Sequence, residues 1–347
     1  MKVLVSDLEA AVARRLADLG VDHDHASLVT RSLIDADQRG VSSHGTARLP
    51  MYVDAIESGS IDPGSRPEIV SDSPAASLWN GKSSFGQVAA AMVVDHAITR
   101  AGEVGAHVGV CNDTNHFGTA GFWARRAAAE GCLGMAFCTS HPLVVPTRGT
   151  QAELGTNPIS LALQGKTDEF VLDMATSTAA LGKVEVRLRE NREIPEGWAI
   201  DSSGDPVRDP AAVYPDVLRG GVGGLLPLGG GDETTGGHKG YGLGALVEIL
   251  CAVLGGGSDL TPGRPLADRT AGLWPVSISF IVIDPAHLAG RDRTAESVDE
   301  LTNALRRTPP VDPAKPVLVP GDIERENAER QAVEVEIDDT VWAEIVK

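Results

Sequence analysis

The sequence has few of the residues that mark several common classes of protein. Only four cysteines occur, Cys111, Cys132, Cys138 and Cys251, and none belongs to a CxxC pair. The spacing typical of a zinc site is therefore missing. Their neighbours are mostly apolar, so we expect four buried, reduced thiols rather than disulfides, as in a cytoplasmic protein.

Long hydrophobic runs and positive charge are also scarce. No uninterrupted apolar segment approaches the ~18 residues of a membrane span. The first residues, MKVLVSDLEAAVARRL, carry acids and lack the cleavage site of a signal peptide. The chain has 30 Lys and Arg against 48 Asp and Glu, a net charge of −18. Because a negative field repels phosphates at long range, we expect neither a nucleic-acid nor a membrane partner. A small anion is compatible with this charge, since a few local cations can reverse the field inside a cleft.

Helical patterns alternate with short apolar runs. The spacing predicts a helix from about Asp24 to Gln38, ended by Gly40, and another over 86–105. Buried strands are predicted in the runs AHVGVCN, LGMAFCTS, ISLALQG, EFVLDMA and VSISFIVID, each bounded by residues typical of turns. The sequence therefore predicts a mixed α/β protein.

Two segments rich in glycine separate these elements. Residues 57–75 contain Gly, Ser and Pro and predict a connection between domains, and the half-glycine segment 220–237 predicts a loop. The tail predicts a helix, a short strand in KPVLVP and a final helical region. We expect a mainly helical domain of residues 1–75 with 308–347, and a sheet domain of residues 76–307 with inserted helices.

The segment SSHGTAR follows the first of these predicted helices. Imidazole titrates near neutrality, so His44 could move a proton at working pH, and Arg48 offers a forked donor to a carboxylate. Ser43 could orient the imidazole or bind a substrate. The alternative is a solvated loop after a helix.

Four further segments place polar residues at the ends of predicted strands or at a helix start. His116 lies in NDTNHFG after AHVGVCN, Ser140 follows LGMAFC, and GTNP contains Asn157 in a turn. DMATST carries Asp173 where a strand ends, with free amides to follow. The alternatives are polar residues that pair with one another, a plain turn and a helix cap.

The last segment is HKGYG, in which His238 and Lys239 stand beside flexible glycines at the start of an apolar helix. This arrangement suits a phosphate. It is not a Walker loop, and no GxGxxG joins a strand to a helix, so the usual dinucleotide fold lacks support. Neither a GxSxG elbow nor a convincing metal motif occurs, and no metal is expected.

Taken together, these segments resemble the malate/L-lactate dehydrogenase family that is unrelated to the Rossmann-type enzymes. The matching pieces, in order, are RGVSSHGTARLPMY, NDTNHFGTAGFWARRA, GTNPIS, DMATSTAALGKV, IPEGWAIDSSGDPVRDP, GGHKGYGLGALVEIL and VLVPGDIE. The resemblance covers nearly the whole chain. It implies an atypical, non-Rossmann NAD(P)-binding sheet domain, usually in a homodimer. It also implies hydride transfer between nicotinamide, as NAD or NADP, and C2 of a small (S)-2-hydroxy or 2-oxo acid.

The resemblance also implies roles for individual residues. His44 and His116 match the histidines to which an acid/base role is assigned, and Ser43, Arg48 and Tyr52 are the expected substrate contacts. The expected cofactor contacts are Ser140, Asn157, Asp173, Met174, Ala175, Thr176, His238, Lys239, Gly321 and Asp322. Many members have PGE where this chain has Gly321-Asp322, and the glycine-rich insertion before His238 is a second departure.

Two other functions are compatible with the same segments. A reductase of cyclic Δ1-imino carboxylates would use similar geometry, because a C=N–carboxylate resembles a 2-oxo acid. A catalytically silent ligand-binding protein on the same fold is the alternative of another class. The two histidines paired with Arg48 favour an enzyme.

Overall fold

The computed structural model describes residues 1–213, 223–256 and 276–347. Its contacts group into two compact units. The first unit comprises Met1–Ala136, Ser160–Asp173 and Ser279–Lys347, and the second comprises Phe137–Ile159 and Met174–Ile278. The division into a helical domain and a cofactor-binding sheet domain stays a prediction, because compactness does not test what each part binds.

The described helices and strands follow one another along the chain as follows. The helices are α1 (Val5–Asp18), α2 (His23–Gln38), α3 (Leu49–Glu57), α4 (Gly86–Val104), α5 (Ala120–Ala129), α6 (Leu181–Arg189), α7 (Gly237–Glu248), α8 (Arg291–Arg306), α9 (Asp322–Arg330) and α10 (Asp339–Ile345). The strands are β1 (Lys2–Leu4), β2 (Glu68–Asp72), β3 (Ala76–Asn80), β4 (Ala106–Thr114), β5 (Leu133–Cys138), β6 (Ile159–Gln164), β7 (Glu169–Met174), β8 (Ala199–Ile200), β9 (Gly224–Leu225), β10 (Val276–Ile283) and β11 (Glu334–Glu336).

A seven-stranded mixed sheet has the strand order β2-β3-β4-β10-β5-β6-β7. Strand β2 pairs antiparallel with β3, and β3 pairs parallel with β4, with Trp79 opposite Cys111. The described ends of the chain meet in a separate antiparallel pair, β1 with β11. The expectation of a mixed α/β fold is confirmed.

Large aromatic side chains fill the core of the first unit. Trp123, Tyr52, Phe85, Phe117 and Phe280 are all fully buried. Helix α4 is made largely of alanine and valine and is buried on most of its surface. Such small side chains let a helix pack closely against its neighbours. Because several faces of the helix are buried, its apolar residues do not form a single stripe.

The second unit has its own core. Its buried side chains come from short segments rather than long helices, and they are Leu143, Val144, Val184, Ile194, Ala199, Val213 and Leu225. Strands β8 and β9 pair antiparallel beside it, with Ala199 opposite Leu225.

Most predicted elements are confirmed, the predicted strand of the tail is wrong, and one segment contains a strand that was not predicted. Residues 57–75 contain strand β2, all of whose residues are exposed, so it has no apolar face to signal it. The KPVLVP segment, residues 315–320, forms no strand, and the strand of the tail is β11 instead. The predicted loop 220–237 is described only from residue 223 onward. All four cysteines are buried and free, as expected. Among the described helices, none is both long and apolar enough to cross a membrane.

Candidate active site

The SSHGTAR segment forms two consecutive 3-10 turns, Ser42–His44 and Thr46–Arg48, between α2 and α3. The Nε of Arg48 donates to the carbonyl oxygen of Ser43 at 2.5 Å. The hydroxyl of Ser43 lies 3.0 Å from Nδ1 of His44. The serine, histidine and arginine singled out in the sequence are therefore held in one short loop.

Asp37, a residue that the sequence analysis did not single out, fixes this loop. It lies near the end of α2 and its Oδ2 accepts from the backbone N–H of Thr46 at 2.8 Å and from its hydroxyl at 2.7 Å. A Cβ at Gly45 would lie 1.8 Å from Oδ1 of Asp37, so only glycine permits this approach. The G of the SHG motif is thus explained by packing.

His116 lies in the turn that follows strand β4. Phe117 anchors this turn, since it is buried and its carbonyl oxygen accepts from the indole N–H of Trp123 at 2.8 Å. A Cβ at Gly86 would lie 2.4 Å from the carbonyl oxygen of His116, so the start of α4 packs directly against the turn. Asn115 has a structural role, because its amide donates to backbone carbonyls such as that of Ser84 at 3.0 Å.

Two buried side chains are connected to His116 by successive hydrogen bonds. The hydroxyl of Tyr52 lies 2.7 Å from Nδ1 of His116, and Nε2 of Gln87 donates to that hydroxyl at 2.7 Å. Tyr52 and Gln87 are both completely buried. The structure therefore places Tyr52 as a support of His116, and its predicted contact with substrate stays a prediction.

The two histidines are neighbours. The rings of His44 and His116 have centroids 5.4 Å apart and are tilted by 31°. Burial, helped by the positive charge of Arg48, lowers the pKa of His44 to about 4. Burial also lowers the pKa of His116 well below its usual value, and His44 and Arg48 act in the same direction. Both rings are consequently neutral at neutral pH.

A second feature of the first unit is a cleft that we call the Asp173 cleft. Among the residues that line this cleft are Arg39, Gly121, Arg125, Asp173, Gly321 and Glu324. Oδ2 of Asp173 accepts from the backbone N–H of Gly121 at 2.8 Å, yet the side chain stays accessible from the cleft. The surrounding protein desolvates the carboxyl and raises its pKa to about 6, although the Gly121 N–H and Arg125 oppose the shift.

The Asp173 cleft suits part of a nicotinamide dinucleotide. An accessible carboxylate at the end of a strand is the group that accepts hydrogen bonds from ribose hydroxyls in other dinucleotide sites. A Cβ at Gly121 would lie 2.7 Å from the Asp173 carboxylate, so glycine keeps this part of the cleft open. Gly321 has φ +98 and lies against Val171, where a Cβ would come within 3.2 Å of the strand backbone.

Asp322 does not face the cleft in the same way. It is buried at the start of α9, its carboxylate accepts from Arg306 and Arg325, and its Oδ2 accepts from the N–H of Val319 at 2.8 Å. These arginines hold the pKa of Asp322 below its usual value against the effect of burial. The carboxylate thus stabilises the turn that carries Gly321, and its predicted contact with the cofactor stays a prediction.

The second unit brings together three other predicted residues. Asn157 is buried and links two segments: its Oδ1 accepts from the N–H of Ser140 at 3.2 Å, and its Nδ2 donates to Glu248 of α7 at 2.8 Å. The N–H of Thr176 donates to the carbonyl oxygen of Thr156 at 2.8 Å, and its hydroxyl donates to the carbonyl oxygen of Asn157 at 3.1 Å. Ser140, Asn157 and Thr176 therefore form one hydrogen-bonded group.

The remaining predicted cofactor residues of this unit lie on its surface. Met174 is the last residue of β7 and Ala175 follows it, and both are half-buried. His238 and Lys239 are exposed in the first turn of α7, which begins after Gly236 in a left-handed conformation. A Cβ at Gly240 would lie 2.1 Å from the carbonyl oxygen of Leu228, so the helix start packs closely on its preceding loop. A helix start with two basic side chains is suited to an anion.

The chain is similar to known proteins over nearly its whole length. The family model described as malate/L-lactate dehydrogenase matches residues 3–346. The malate dehydrogenase of Pyrococcus abyssi is 43% identical over 310 residues, which cover 88% of this chain and 83% of that protein. The L-sulfolactate dehydrogenase of Methanocaldococcus jannaschii is 33% identical over 330 residues, 95% of this chain and 91% of that protein.

A solved structure is similar as well. The crystal structure of malate dehydrogenase from Entamoeba histolytica has a TM-score of 0.94 at 27% identity and covers 99% of this chain and 96% of that chain. The family match spans both the SSHGTAR loop with His116 and the residues grouped around Asn157. The chain therefore belongs to the malate/L-lactate dehydrogenase family, as a nicotinamide-dependent dehydrogenase that acts on 2-hydroxy acids.

Proposed function

We propose that this dehydrogenase interconverts a small (S)-2-hydroxy acid and its 2-oxo acid, with His44 and His116 handling the proton and Arg48 holding the carboxylate. The observation that carries the proposal is the meeting of two neutral imidazoles, 5.4 Å apart, beside a fixed guanidinium. When bound, the nicotinamide supplies or accepts the hydride. The side chains of the chain must then orient the acid and manage the proton on its oxygen.

The charge of Arg48 couples substrate binding to protonation. In the free protein this charge contributes to the lowered pKa of both His44 and His116. A substrate carboxylate paired with Arg48 would cancel much of that charge and allow an imidazole pKa to rise. The histidines would then become proton donors only when a carboxylate substrate is present.

Ser43 has a supporting part in this scheme. Its hydroxyl lies 3.0 Å from Nδ1 of His44 and its carbonyl oxygen receives Arg48. One residue thus orients the imidazole and the guanidinium together. Its own predicted contact with substrate is part of the proposal.

The contacts of the Asp173 cleft favour NAD over NADP. The two arginines of the cleft both pair with Asp35: Nε of Arg39 lies 3.1 Å from Oδ1, and Nη2 of Arg125 lies 2.5 Å from Oδ2. Asp173 and Glu324 add two more carboxylates. A ribose diol would donate to such carboxylates, whereas a 2′-phosphate would be repelled. We expect the start of α7, with His238 and Lys239, to bind the pyrophosphate, and Ser140, Met174, Ala175, Thr176 and Asn157 to shape the rest of the cofactor site.

An apolar surface on α7 and its continuation supports the proposed homodimer. Leu246, Ile249, Val253 and Leu254 expose between 42% and 58% of their surface at helical spacing. Exposed apolar patches of this kind are typical of protein interfaces. We expect Ile249→Lys to yield monomers in analytical ultracentrifugation, with the exposed Leu288→Lys as the matched control.

The proposed function is tested with a panel of substrates. Purified protein is assayed for NADH and NADPH oxidation with oxaloacetate, sulfopyruvate, pyruvate and Δ1-piperideine-2-carboxylate. We expect turnover with at least one 2-oxo acid and a higher kcat/KM with NADH. Turnover of the cyclic imine alone would favour the imino-acid reductase, and cofactor binding without any turnover would favour the silent binding protein.

A further inference from the structure

The hydrogen bonds behind His116 define which of its two nitrogens carries the proton. A neutral imidazole has one N–H donor and one acceptor nitrogen, and its neighbours decide the assignment. The backbone N–H of Gly118 points to Nδ1 of His116 at 3.4 Å. A backbone N–H can only donate, so this contact by itself makes Nδ1 the acceptor.

The buried chain from α4 gives the same answer independently. Nε2 of Gln87 donates to the hydroxyl oxygen of Tyr52, and that hydroxyl lies 2.7 Å from Nδ1 of His116. The oxygen of Tyr52 accepts from the amide, and its hydroxyl is within donating distance of Nδ1. Two donors from different elements therefore converge on one nitrogen.

We propose that Gln87, acting through Tyr52, holds His116 in the tautomer whose proton is on Nε2, so that the free enzyme presents a hydrogen-bond donor to the substrate oxygen. Gln87 and Tyr52 are positioning residues in this proposal. The inference rests on the proposed function of His116. In this state Nε2–H can hydrogen-bond the carbonyl oxygen of a 2-oxo acid, and it can pass its proton to that oxygen only after Nδ1 has taken up a proton, because a neutral imidazole does not ionise further near neutral pH.

The carbonyl oxygen of the Gln87 amide suggests how the hydrogen bonds from Gln87 through Tyr52 to His116 could reverse their direction. Oε1 of Gln87 is buried, and among the described residues it has no hydrogen-bond partner. A buried carbonyl oxygen without a donor is unfavourable, so this orientation of the amide carries a desolvation penalty. A half-turn of the amide would place Oε1 where it accepts the Tyr52 hydroxyl, and the Tyr52 oxygen could then accept a proton-bearing Nδ1. The same three side chains thus accommodate His116 in its protonated form, in which the 3.4 Å contact from the Gly118 N–H is lost because a protonated Nδ1 cannot accept.

The tautomer can be read directly in the protein without substrate. Protein labelled with ¹⁵N-histidine is studied by two-bond ¹H–¹⁵N correlation, and His116→Gln assigns the signal. We expect the pattern of the Nε2-protonated ring in the unsubstituted protein, and a mixture of tautomers in Tyr52→Phe and Gln87→Met. An Nδ1-protonated ring in the unsubstituted protein would overturn the inference. Because no substrate is present, failure here is distinct from failure of the substrate panel.

Kinetics provide the second measurement. Gln87→Met keeps the length of the side chain, and we expect kcat for reduction to fall about tenfold with KM little changed, and the acidic limb of the pH profile to shift. Gln151→Met makes the same change on an exposed side chain and should leave both unaltered. A loss of kcat in Gln87→Met with an unshifted pH profile and an unchanged tautomer pattern would show a merely structural role and refute the proposal.

Discussion

Asp37 and Thr46 are joined by two hydrogen bonds to a single carboxylate oxygen, at 2.8 Å from the backbone N–H and 2.7 Å from the hydroxyl. This contact ties the loop of His44 and Arg48 to helix α2. Both groups are buried, so neither bond is replaced by water when it is lost. The loop geometry therefore depends on a residue that does not itself meet the substrate.

Removing the Thr46 hydroxyl should impair turnover more than cofactor binding. Thr46→Val keeps the shape of the side chain and deletes one bond, and we expect kcat to fall by about tenfold, since small misplacements of reacting groups are costly. Thr46→Ser retains the hydroxyl and should recover most of the activity. Steady-state kinetics and NADH titration measure the two effects, and equal losses in both variants would contradict the assigned contact.

The stability of the protein should carry a pH signature of Asp37. Burial raises its pKa from 3.8 to about 6, although both bonds from Thr46 oppose the shift. The folded protein thus holds this proton more tightly than the unfolded chain. The contribution of this protonation to the free energy of unfolding is fully present below pH 3.8, and it is lost as the pH rises through 6.

Asp37→Asn removes this titration while keeping an acceptor for Thr46. We expect the free energy of unfolding of the unsubstituted protein, relative to the variant, to fall by on the order of 2–3 kcal/mol between pH 4 and 7. Urea denaturation at several pH values measures the difference. His44 titrates with the opposite sign in this range, and the difference between the two proteins cancels its contribution. A pH-independent difference would show that Asp37 keeps its ordinary pKa.

Cofactor affinity should depend on the protonation of Asp173. Above its pKa of about 6 the carboxylate can accept from a ribose hydroxyl, and below it the group is neutral. We expect the Kd for NADH to increase as the pH falls from 7 to 5. Asp173→Asn should bind more weakly at pH 7 and lose this dependence, as measured by NADH fluorescence. Equal pH dependence in both proteins would place the titrating group elsewhere.

Asn157 should be a stability determinant of the second unit. Its side chain links Ser140, Gly244 and Glu248, through a part-buried hydrogen bond to Ser140 and buried ones to Gly244 and Glu248. We expect Asn157→Leu to destabilise the protein by about 2 kcal/mol, because it leaves several polar partners unsatisfied. Asn303→Leu makes the same change at an exposed position of α8 and is the control. Thermal and urea denaturation compare the two, and similar stabilities would argue against the network.

Much of the fold was available in the sequence by itself. Helices α2 and α4 and strands β4 to β7 show their apolar periodicity or their apolar runs, because burial of those side chains is what makes the elements stable. The motifs around His44, His116, Asp173 and Lys239 also indicated the family, since seven segments in one order are far more specific than any single segment.

Tertiary structure alone decided what supports those motifs. Strand β2 is an exposed edge, so its side chains carry no apolar pattern that would predict it. Asp37 and Gln87 act on the loop of His44 and on His116 from outside their motifs, and Gln87 lies 35 residues from the Tyr52 it contacts. Hydrogen bonds of this kind depend on where distant segments meet, which local periodicity does not encode. The sequence therefore determined which residues carry the chemistry, and the packing of α2 and α4 determined how their protons and charges are held.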